Sequence, residues 1–258
     1  MPAPNVTGFL QPSQAVGLIN QGNKPGVAAD GNWQYQRYGK YGENVNHPAT
    51  DENFLSEEGS YWKAVNATPG TAITANIQTT FSATKAFLTI QNSGPSGGPL
   101  LYLDYIRLIT VTAPASATST QIVLAMDSIT RYSSGGTQIT AFPTTSPFLA
   151  GPVPQITMYA GALTAAAAGS GVKYISRFCM FGAIEVTMSE NVIAFRRPMG
   201  ESNINGGTTA VRNVTSVGPC VLAPSGGAGY NTLVLHDYRP SNASTAPTYE
   251  LEVGGYFR

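Results

Sequence analysis

The sequence predicts an all-β protein, a jelly-roll-like β-sandwich that follows an extended N-terminal arm. Three observations carry this prediction. From about residue 61 onward, apolar and polar residues alternate with a period of two, which is typical of strands with one buried face. Clusters of Gly, Pro, Ser and Asn separate these segments, as turns do. No segment has the sustained 3.6-residue period of a long amphipathic helix.

Two regions follow from this pattern. Residues 1–60 are polar, broken by Gly and Pro, and lack a sustained period, which predicts an extended arm. Residues 61–258 carry the alternation, which predicts the sandwich domain. The expected eight to ten strands favour a jelly roll among the sandwich folds.

The strands are expected where the alternation is clearest. In the first of them, Ile73, Ile77 and Phe81 share one face, while polar residues occupy the other. We expect strands at Thr71–Phe81, Ala86–Ile90, Leu100–Thr112, Gln121–Tyr132, Thr137–Phe142, Val172–Met188, Val192–Phe195, Thr208–Ser216, Thr232–Tyr238 and Tyr249–Tyr256.

Turn chemistry marks the connections between these strands. Gly135-Gly136 predicts a hairpin turn before Thr137–Phe142. Loops are expected at Pro143–Pro154 and around Ala165–Ala168. The Gly-rich segments 94–99 and 225–229 fit no phosphate-binding motif and are interpreted as turns.

The charge composition and the N-terminal segment limit which partners and which location are expected. Only 11% of the residues are charged, and 14 basic residues balance 14 acidic ones. This balance provides no long-range attraction to nucleic acid or to an anionic membrane, so neither is expected as a partner. The N-terminal segment lacks the basic and apolar regions of a signal peptide, so we expect synthesis in the cytoplasm without export by that route.

No catalytic constellation is recognisable. Glu250 and Glu252 share a face of the last strand, and paired carboxylates are the catalytic groups of glycosidases. Leu251 and Val253 then face the core, so the two carboxylates mark the solvated face. His236 and Asp237 are adjacent in sequence, so on a strand they point to opposite faces and cannot form a catalytic pair directly. We therefore expect no enzyme.

No metal or cofactor is expected either. The second histidine, His47, lies in the arm, and Cys179 and Cys220 complete no zinc-ligand spacing. Both cysteines are expected to be free thiols. The acidic cluster of residues 51–52 and 57–58 lacks the spacing of a calcium-binding loop and is interpreted as a solvated turn or a helix start.

The candidate interaction residues are aromatic side chains of the arm. Disordered tails are poor in such residues, so we expect the arm to pack on protein. The candidates are Trp33, Tyr35, Tyr38, Tyr41 and Phe54. Two basic residues lie among them, which leaves sugar or base stacking open. Arg196-Arg197 is either a solvated strand end or a partner for carboxylates.

The chain as a whole resembles virion proteins of tailed bacteriophages. The resemblance rests on the low-charge, Thr/Ser/Asn/Gly-rich composition and on an aromatic arm that precedes β segments such as Thr71–Phe81 and Leu100–Thr112. Head decoration (cement) proteins are the most similar class. The long spine helix of the common tailed-phage capsid protein is not predicted here. No specific motif supports the resemblance, so it implies no site residues.

The resemblance implies a capsid-bound structural protein. Its partners would be the major capsid protein or other virion proteins, its location the virion, and its state a homo-oligomer, with a trimer favoured. A receptor- or carbohydrate-binding tail module is the first alternative, and a jelly-roll capsid subunit is the second. The position of the aromatic rings distinguishes the structural role from sugar binding. Rings of Trp33, Trp62 and the tyrosines that are buried or lie in a subunit interface favour a structural role, whereas rings that line an open groove favour sugar binding.

Overall fold

The sandwich is described by a computed structural model that covers residues 60–66, 68, 70–76, 78–112, 120–144, 155–180, 190–195, 212–240 and 246–258. The predicted arm lies outside the described residues, apart from Ser60. Within the described part, the chain forms two packed β-sheets and no helix, which confirms the predicted all-β sandwich. No helix in these ranges is therefore long and apolar enough to cross a membrane.

The strands are numbered in chain order. They are β1 (Tyr61–Val65), β2 (Ile73–Thr74), β3 (Lys85–Asn92), β4 (Leu101–Thr112), β5 (Thr120–Asp127), β6 (Tyr132–Gln138), β7 (Ala141–Pro143), β8 (Ile156–Ala165), β9 (Lys173–Met180), β10 (Glu190–Ala194), β11 (Arg212–Ser216), β12 (Cys220–Leu222), β13 (Thr232–Tyr238) and β14 (Thr248–Phe257). The sequence placed β3, β4, β10, β13 and β14 within two residues of these bounds, but β1, β8 and β12 were not predicted.

The front sheet has the strand order β11-β10-β4-β14-β1-β7, with β12 also paired to β4 and β2 to β14. The back sheet has the order β6-β8-β3-β13-β5-β9. All these pairs are antiparallel except β10 with β11. Four pairs are nested along the chain: β1 with β14, β3 with β13, β4 with β10, and β5 with β9.

The core lies between the two sheets. Trp62, Ile106 and Leu251 reach it from the front sheet, and Leu124 and Leu235 reach it from the back sheet. Aromatic contact joins the layers directly, because the ring of Phe87 on β3 meets that of Tyr249 on β14 edge-on, with centroids 5.3 Å apart. Alternation of apolar residues thus places one face of each central strand in a shared interior.

A strap, defined here as residues 78–84, crosses the outer face of the back sheet. Two fully buried arginines hold it: Arg131 donates from Nη2 to the carbonyl of Ala83 at 2.7 Å, and the backbone N–H of Arg239 donates to the carbonyl of Gln78 at 2.9 Å. Each arginine pairs with a buried carboxylate, Arg131 with Asp127 at 3.0 Å and Arg239 with Asp237 at 2.9 Å. Phe81 of the strap covers His236 and Tyr238, a separate apolar cluster covers Val234, and every residue of β13 is buried.

The strand predicted at Thr71–Phe81 is wrong over most of its length. Of the described residues in this segment, Ile73–Thr74 alone form a strand, which pairs with β14, and the chain then leaves the front sheet to form the strap. Apolar and polar residues do alternate in this segment. The polar groups of the strap, however, form hydrogen bonds with Arg131, with Arg239 and with the end of β13, and do not form the ladder of a paired strand.

The predicted hairpin at Gly135-Gly136 is also wrong. Both glycines have positive φ, 85° and 67°, but they lie inside the continuous strand β6, where the register against β8 shifts. A Cβ at Gly136 would lie 2.2 Å from Leu163 Cδ2 and 2.6 Å from the carbonyl oxygen of Ala160. The glycines therefore allow a β-bulge that presses β6 against β8.

Candidate interaction surface

The predicted site residues lie outside the described part of the chain. These are Trp33, Tyr35, Tyr38, Tyr41 and Phe54, and the predictions for His47, for the acidic cluster and for Arg196-Arg197 lie outside it as well. The other tryptophan can be assessed. Trp62 is 1% exposed and belongs to the core between the sheets, so this ring has a structural role.

A row of tyrosines crosses the outer face of the front sheet. Tyr61 on β1 lies opposite Tyr256 on β14, which lies opposite Tyr102 on β4. The rings of Tyr102 and Tyr256 are stacked, with centroids 5.0 Å apart and an interplanar angle of 2°. Tyr61 Oη donates to Asp104 Oδ2 at 2.9 Å. The row forms because side chains directly opposite each other on neighbouring strands share a face.

A cluster of charges lies beside this row, centred on Glu252 of β14. Lys63 Nζ and Arg107 Nη1 bind its two carboxylate oxygens at 3.2 and 3.1 Å, and Tyr105 Oη donates to the same carboxylate. Arg107 also binds Glu190 of β10 at 2.6 Å through Nε. The cluster thus links β1, β14, β4 and β10 across the face.

The pKa values in this cluster follow from the contacts. Burial opposes ionisation of Glu252, but the hydrogen bonds from Tyr105 and Lys63 and the charges of Lys63 and Arg107 outweigh it, so the pKa of Glu252 is lowered. The pKa of Tyr105 is raised, mainly by burial and then by its bond to Glu252. Both groups are therefore held in one protonation state at neutral pH, with Glu252 ionised and Tyr105 neutral.

Gly254 makes room for the tyrosine ring. A Cβ at this position would lie 2.4 Å from Tyr105 Cε1 and 2.9 Å from Tyr61 Oη. At Gly255, a Cβ would lie 2.4 Å from the carbonyl oxygen of Tyr102 and 2.8 Å from Trp62 Cζ2. The Gly-Gly pair in β14 thus serves close packing on both faces of the sheet.

Exposed apolar side chains surround the tyrosine row and the charges. By register, Val65 on β1, Phe142 on β7 and Val214 on β11 all point away from the core. Their exposed fractions are 38%, 44% and 44%. Aromatic rings, exposed apolar groups and internally paired charges on one face are typical of protein–protein interfaces. We call this outer face of the front sheet the tyrosine face.

The carboxylates considered as a catalytic pair serve other contacts. Glu250 Oε1 accepts a hydrogen bond from the backbone N–H of Gly70 at 2.7 Å, and Glu252 is bound by two cations. A glycosidase general acid needs a raised pKa, whereas that of Glu252 is lowered. The contacts agree with the interpretation of this pair as a polar outer face.

His236 and Asp237 also serve the fold. Asp237 binds Arg239 beside the end of β13. His236 is buried next to the strap, where its Nδ1 lies 2.6 Å from the carbonyl oxygen of Lys85 and its ring meets Phe81. Among the described residues, no three His, Cys, Asp or Glu side chains lie close enough to hold a metal ion.

The cysteines can be assessed only in part. Cys220 is buried and free, with its Sγ 3.9 Å from Met126 Sδ across the core. Burial raises its pKa to about 12, so it remains a thiol. Cys179 lies on β9, but its side chain is not among those that the structure describes, so the free thiol there stays a prediction.

Sequence reasoning missed a groove on the back sheet. Phe81 of the strap, Tyr174 and Arg177 of β9, and Tyr238 of β13 line it. The sequence of β9 held one indication of this groove, because Tyr174 and Arg177 occur together in a short strand. The strap that forms one wall was itself predicted to be part of a strand, so the groove could not be assembled from sequence.

Comparison with known proteins provides no relative. No protein-family model matches this chain. Neither the curated proteins nor the solved structures include a match.

Proposed function

We propose that this protein is a structural component of a virus particle that binds and stabilises the capsid shell, as decoration (cement) proteins do. The observation that carries the proposal is the nested strand pairing of the sandwich. The resemblance in composition and arm, noted from the sequence, selects this role from those that the fold allows.

The nested pairing supports the jelly-roll arrangement that the sequence favours. Eight strands pair first with last and then inward: β1 with β14, β3 with β13, β4 with β10, and β5 with β9. They divide into two groups of four, β10-β4-β14-β1 in the front sheet and β3-β13-β5-β9 in the back sheet. We infer that β2, β6–β8, β11 and β12 are additions to this frame. Viral capsid domains, lectins and cupins use it, so it supports a virion role without assigning one.

The tyrosine face is the proposed contact of the β domain. Its three exposed apolar residues and the partly exposed Tyr102 and Tyr256 lie on one sheet face, and its charges already pair within the protein. Docking that face would bury apolar area without leaving a lone charge in the interface, which avoids a large desolvation cost. Specific interfaces bury about 1,600 Å² in total, which a six-strand face and an arm can supply together.

The arm is the second proposed contact. Its aromatic residues Trp33, Tyr35, Tyr38, Tyr41 and Phe54 would anchor it on a neighbouring virion protein, because a few such side chains carry most of the energy of an interface. The chain would act as a homo-oligomer, most simply a trimer on a symmetry axis of the shell.

Two alternatives remain, and each has an observation in its favour. The open aromatic groove of the back sheet favours a carbohydrate- or receptor-binding module. The nested pairing would equally serve a jelly-roll subunit that builds the shell itself. The behaviour toward a capsid shell separates the three functions. A decoration protein binds a preformed shell, a capsid subunit assembles into a shell, and a receptor-binding module does neither.

The test is co-sedimentation of the purified chain with virus heads that lack it. Full-length protein should bind saturably, and a truncated chain that starts at Glu58 should fold but lose most of this binding. Phe142→Glu should weaken binding roughly tenfold or more, because it places a charge in the proposed contact. Ile129→Glu is the matched control, since Ile129 is 40% exposed but lies away from the tyrosine face. Failure of the full-length chain to bind any shell would exclude the proposal.

A further inference from the structure

The groove on the back sheet presents aromatic rings to solvent. The rings of Phe81 and Tyr174 meet edge-on with centroids 5.7 Å apart, and those of Phe81 and Tyr238 do so at 6.1 Å. Tyr174 is 52% exposed and Phe81 is 38% exposed, which is unusual for large rings in a cluster. The groove has a volume of about 400 Å³, within the range of small-molecule sites.

The groove also presents a cation. Arg177 Nη2 donates to Tyr238 Oη at 3.1 Å, which fixes the guanidinium at the edge of the rings. Among the residues that the structure describes, no ion pair includes Arg177 and no carboxylate lines the groove. A guanidinium with free donors beside exposed rings complements a ligand that has both an apolar face and an anionic group.

The wall of the groove is held in place before any ligand arrives. Phe81 belongs to the strap, which Arg131 and Arg239 anchor through the carbonyls of Ala83 and Gln78. The ring of Phe81 also packs against the buried His236, with centroids 5.2 Å apart. A preformed wall reduces the entropy that binding must overcome.

The groove lies beside β9, the edge strand of the back sheet, so an extended peptide is one conceivable occupant. Two features of β9 oppose strand addition. The register against β5 shifts at Ile175, which marks a bulge, and the exposed positions include Lys173 and Arg177. Bulges and charges are the features that keep edge strands from pairing. A small ligand bound through side chains fits these observations better.

We propose that this groove binds an acidic saccharide, a pyranose ring that bears a carboxylate. The C–H face of the sugar would stack on Tyr174 or Phe81, and the carboxylate would bind Arg177. Tyr238, whose hydroxyl oxygen accepts the bond from Arg177, would donate a hydrogen bond to a hydroxyl group of the sugar. The proposal is independent of the shell-binding role and concerns the opposite sheet of the sandwich.

The experiment is a calorimetric and NMR titration of the full-length chain with a trisaccharide of galacturonate. The corresponding neutral galactose trisaccharide is the matched ligand, and an acidic peptide of similar charge represents strand addition. The galacturonate should bind more tightly than the neutral sugar, and added salt should reduce the difference because it screens the charge. Amide shifts should concentrate at Tyr174, Ser176 and Arg177.

Three variants assign the binding to the groove. Arg177→Gln should weaken galacturonate binding roughly tenfold and leave the neutral sugar unchanged. Tyr174→Ala should weaken both sugars. Lys173→Gln is the control, since it removes a cation from the same strand but outside the groove lining, and it should leave binding unchanged.

Three outcomes would overturn the proposal. They are absence of galacturonate binding, galacturonate binding that Arg177→Gln and Tyr174→Ala both leave unchanged, and binding of the acidic peptide alone. If Arg177→Gln failed to fold, the amide shifts of the wild-type chain would still decide, because shifts away from β9 and the strap would place the ligand elsewhere.

Discussion

His236 should make the fold sensitive to acid within a narrow pH window. The side chain is 1% exposed, and its Nδ1 donates to the carbonyl of Lys85, which can only accept. The other nitrogen, Nε2, is buried and has no hydrogen-bond partner within the described ranges. Protonation would therefore create a buried charge and a buried N–H donor that lacks a hydrogen-bond acceptor. Burial lowers the pKa of His236 from 6.5 to about 4, because its effect, with a smaller one from the charge of Arg131, outweighs the hydrogen bond to Lys85 that favours the charged form.

The direction of the effect follows from proton uptake. Between about pH 4 and 6.5, the unfolded chain protonates this histidine while the folded chain does not. The contribution of His236 is therefore fully present above pH 6.5 and is lost as the pH falls toward 4. One pKa unit corresponds to about 1.4 kcal/mol, so the lowered pKa predicts a loss of about 3 kcal/mol across the window.

The assay is urea unfolding followed by circular dichroism at several pH values across this window. His236→Asn retains a donor near the position of Nδ1 but cannot titrate, so its free energy of unfolding should decrease less with falling pH than that of the wild-type chain. His47→Asn replaces the other histidine and should retain the full pH dependence. Parallel curves for the wild-type chain and His236→Asn would refute the reasoning, as would an NMR titration that placed the pKa of His236 near 6.5.

Three further predictions concern stability and reactivity. Arg131→Met should lower the free energy of unfolding by about 3–5 kcal/mol, because it leaves a buried carboxylate without its cation. Lys63→Met should lower it by about 1 kcal/mol or less, because that ion pair is partly exposed. Equal losses in urea unfolding would contradict this ranking. Gly254→Ala should displace the ring of Tyr105 and destabilise the fold by about 1–3 kcal/mol, and an unchanged environment of that ring in NMR spectra would count against it. Cys220 should resist iodoacetamide in the folded chain at mildly alkaline pH and react in urea, as peptide mass mapping can measure; modification in the folded state would show that the thiol is accessible.

The sequence was sufficient for the central strands. Burial of one face sets the period of two in β14 and, on either side of a register shift at Asp104, in β4. β13 begins with an apolar run after a turn signal, so the bounds of all three strands could be predicted closely. The outward direction of Glu250 and Glu252 followed from the same alternation. Such predictions succeed where each residue's environment is set by its own strand.

The strap and the bulge in β6 could not be predicted because distant residues determine them. Arg131 and Arg239 supply the hydrogen bonds that a ladder partner would otherwise provide to residues 78–84. Gly135 and Gly136 match a hairpin signal locally, and only the neighbouring strand β8 reveals a bulge. Local propensity gave the wrong structure in both cases because tertiary contacts outweighed it.

The surfaces depended on register, which sequence did not reveal. The tyrosine row joins Tyr61, Tyr102 and Tyr256 from three strands, and the groove joins Phe81, Tyr174 and Tyr238 from three other segments. A shift of one residue in any pairing would turn these rings to the opposite face. Composition could therefore suggest an aromatic interaction surface, but not its location.

The central claim, that this chain is a structural component of a virus particle, is tested most directly by its presence in the particle. The measurement is quantitative mass spectrometry of virus particles purified by density gradient, after a high-salt wash, from cells that produce the chain. The account predicts that the chain remains with the particles in a fixed ratio to the major shell protein. Its loss from the washed particles, or its recovery only in the soluble fraction of the cells, would contradict the account.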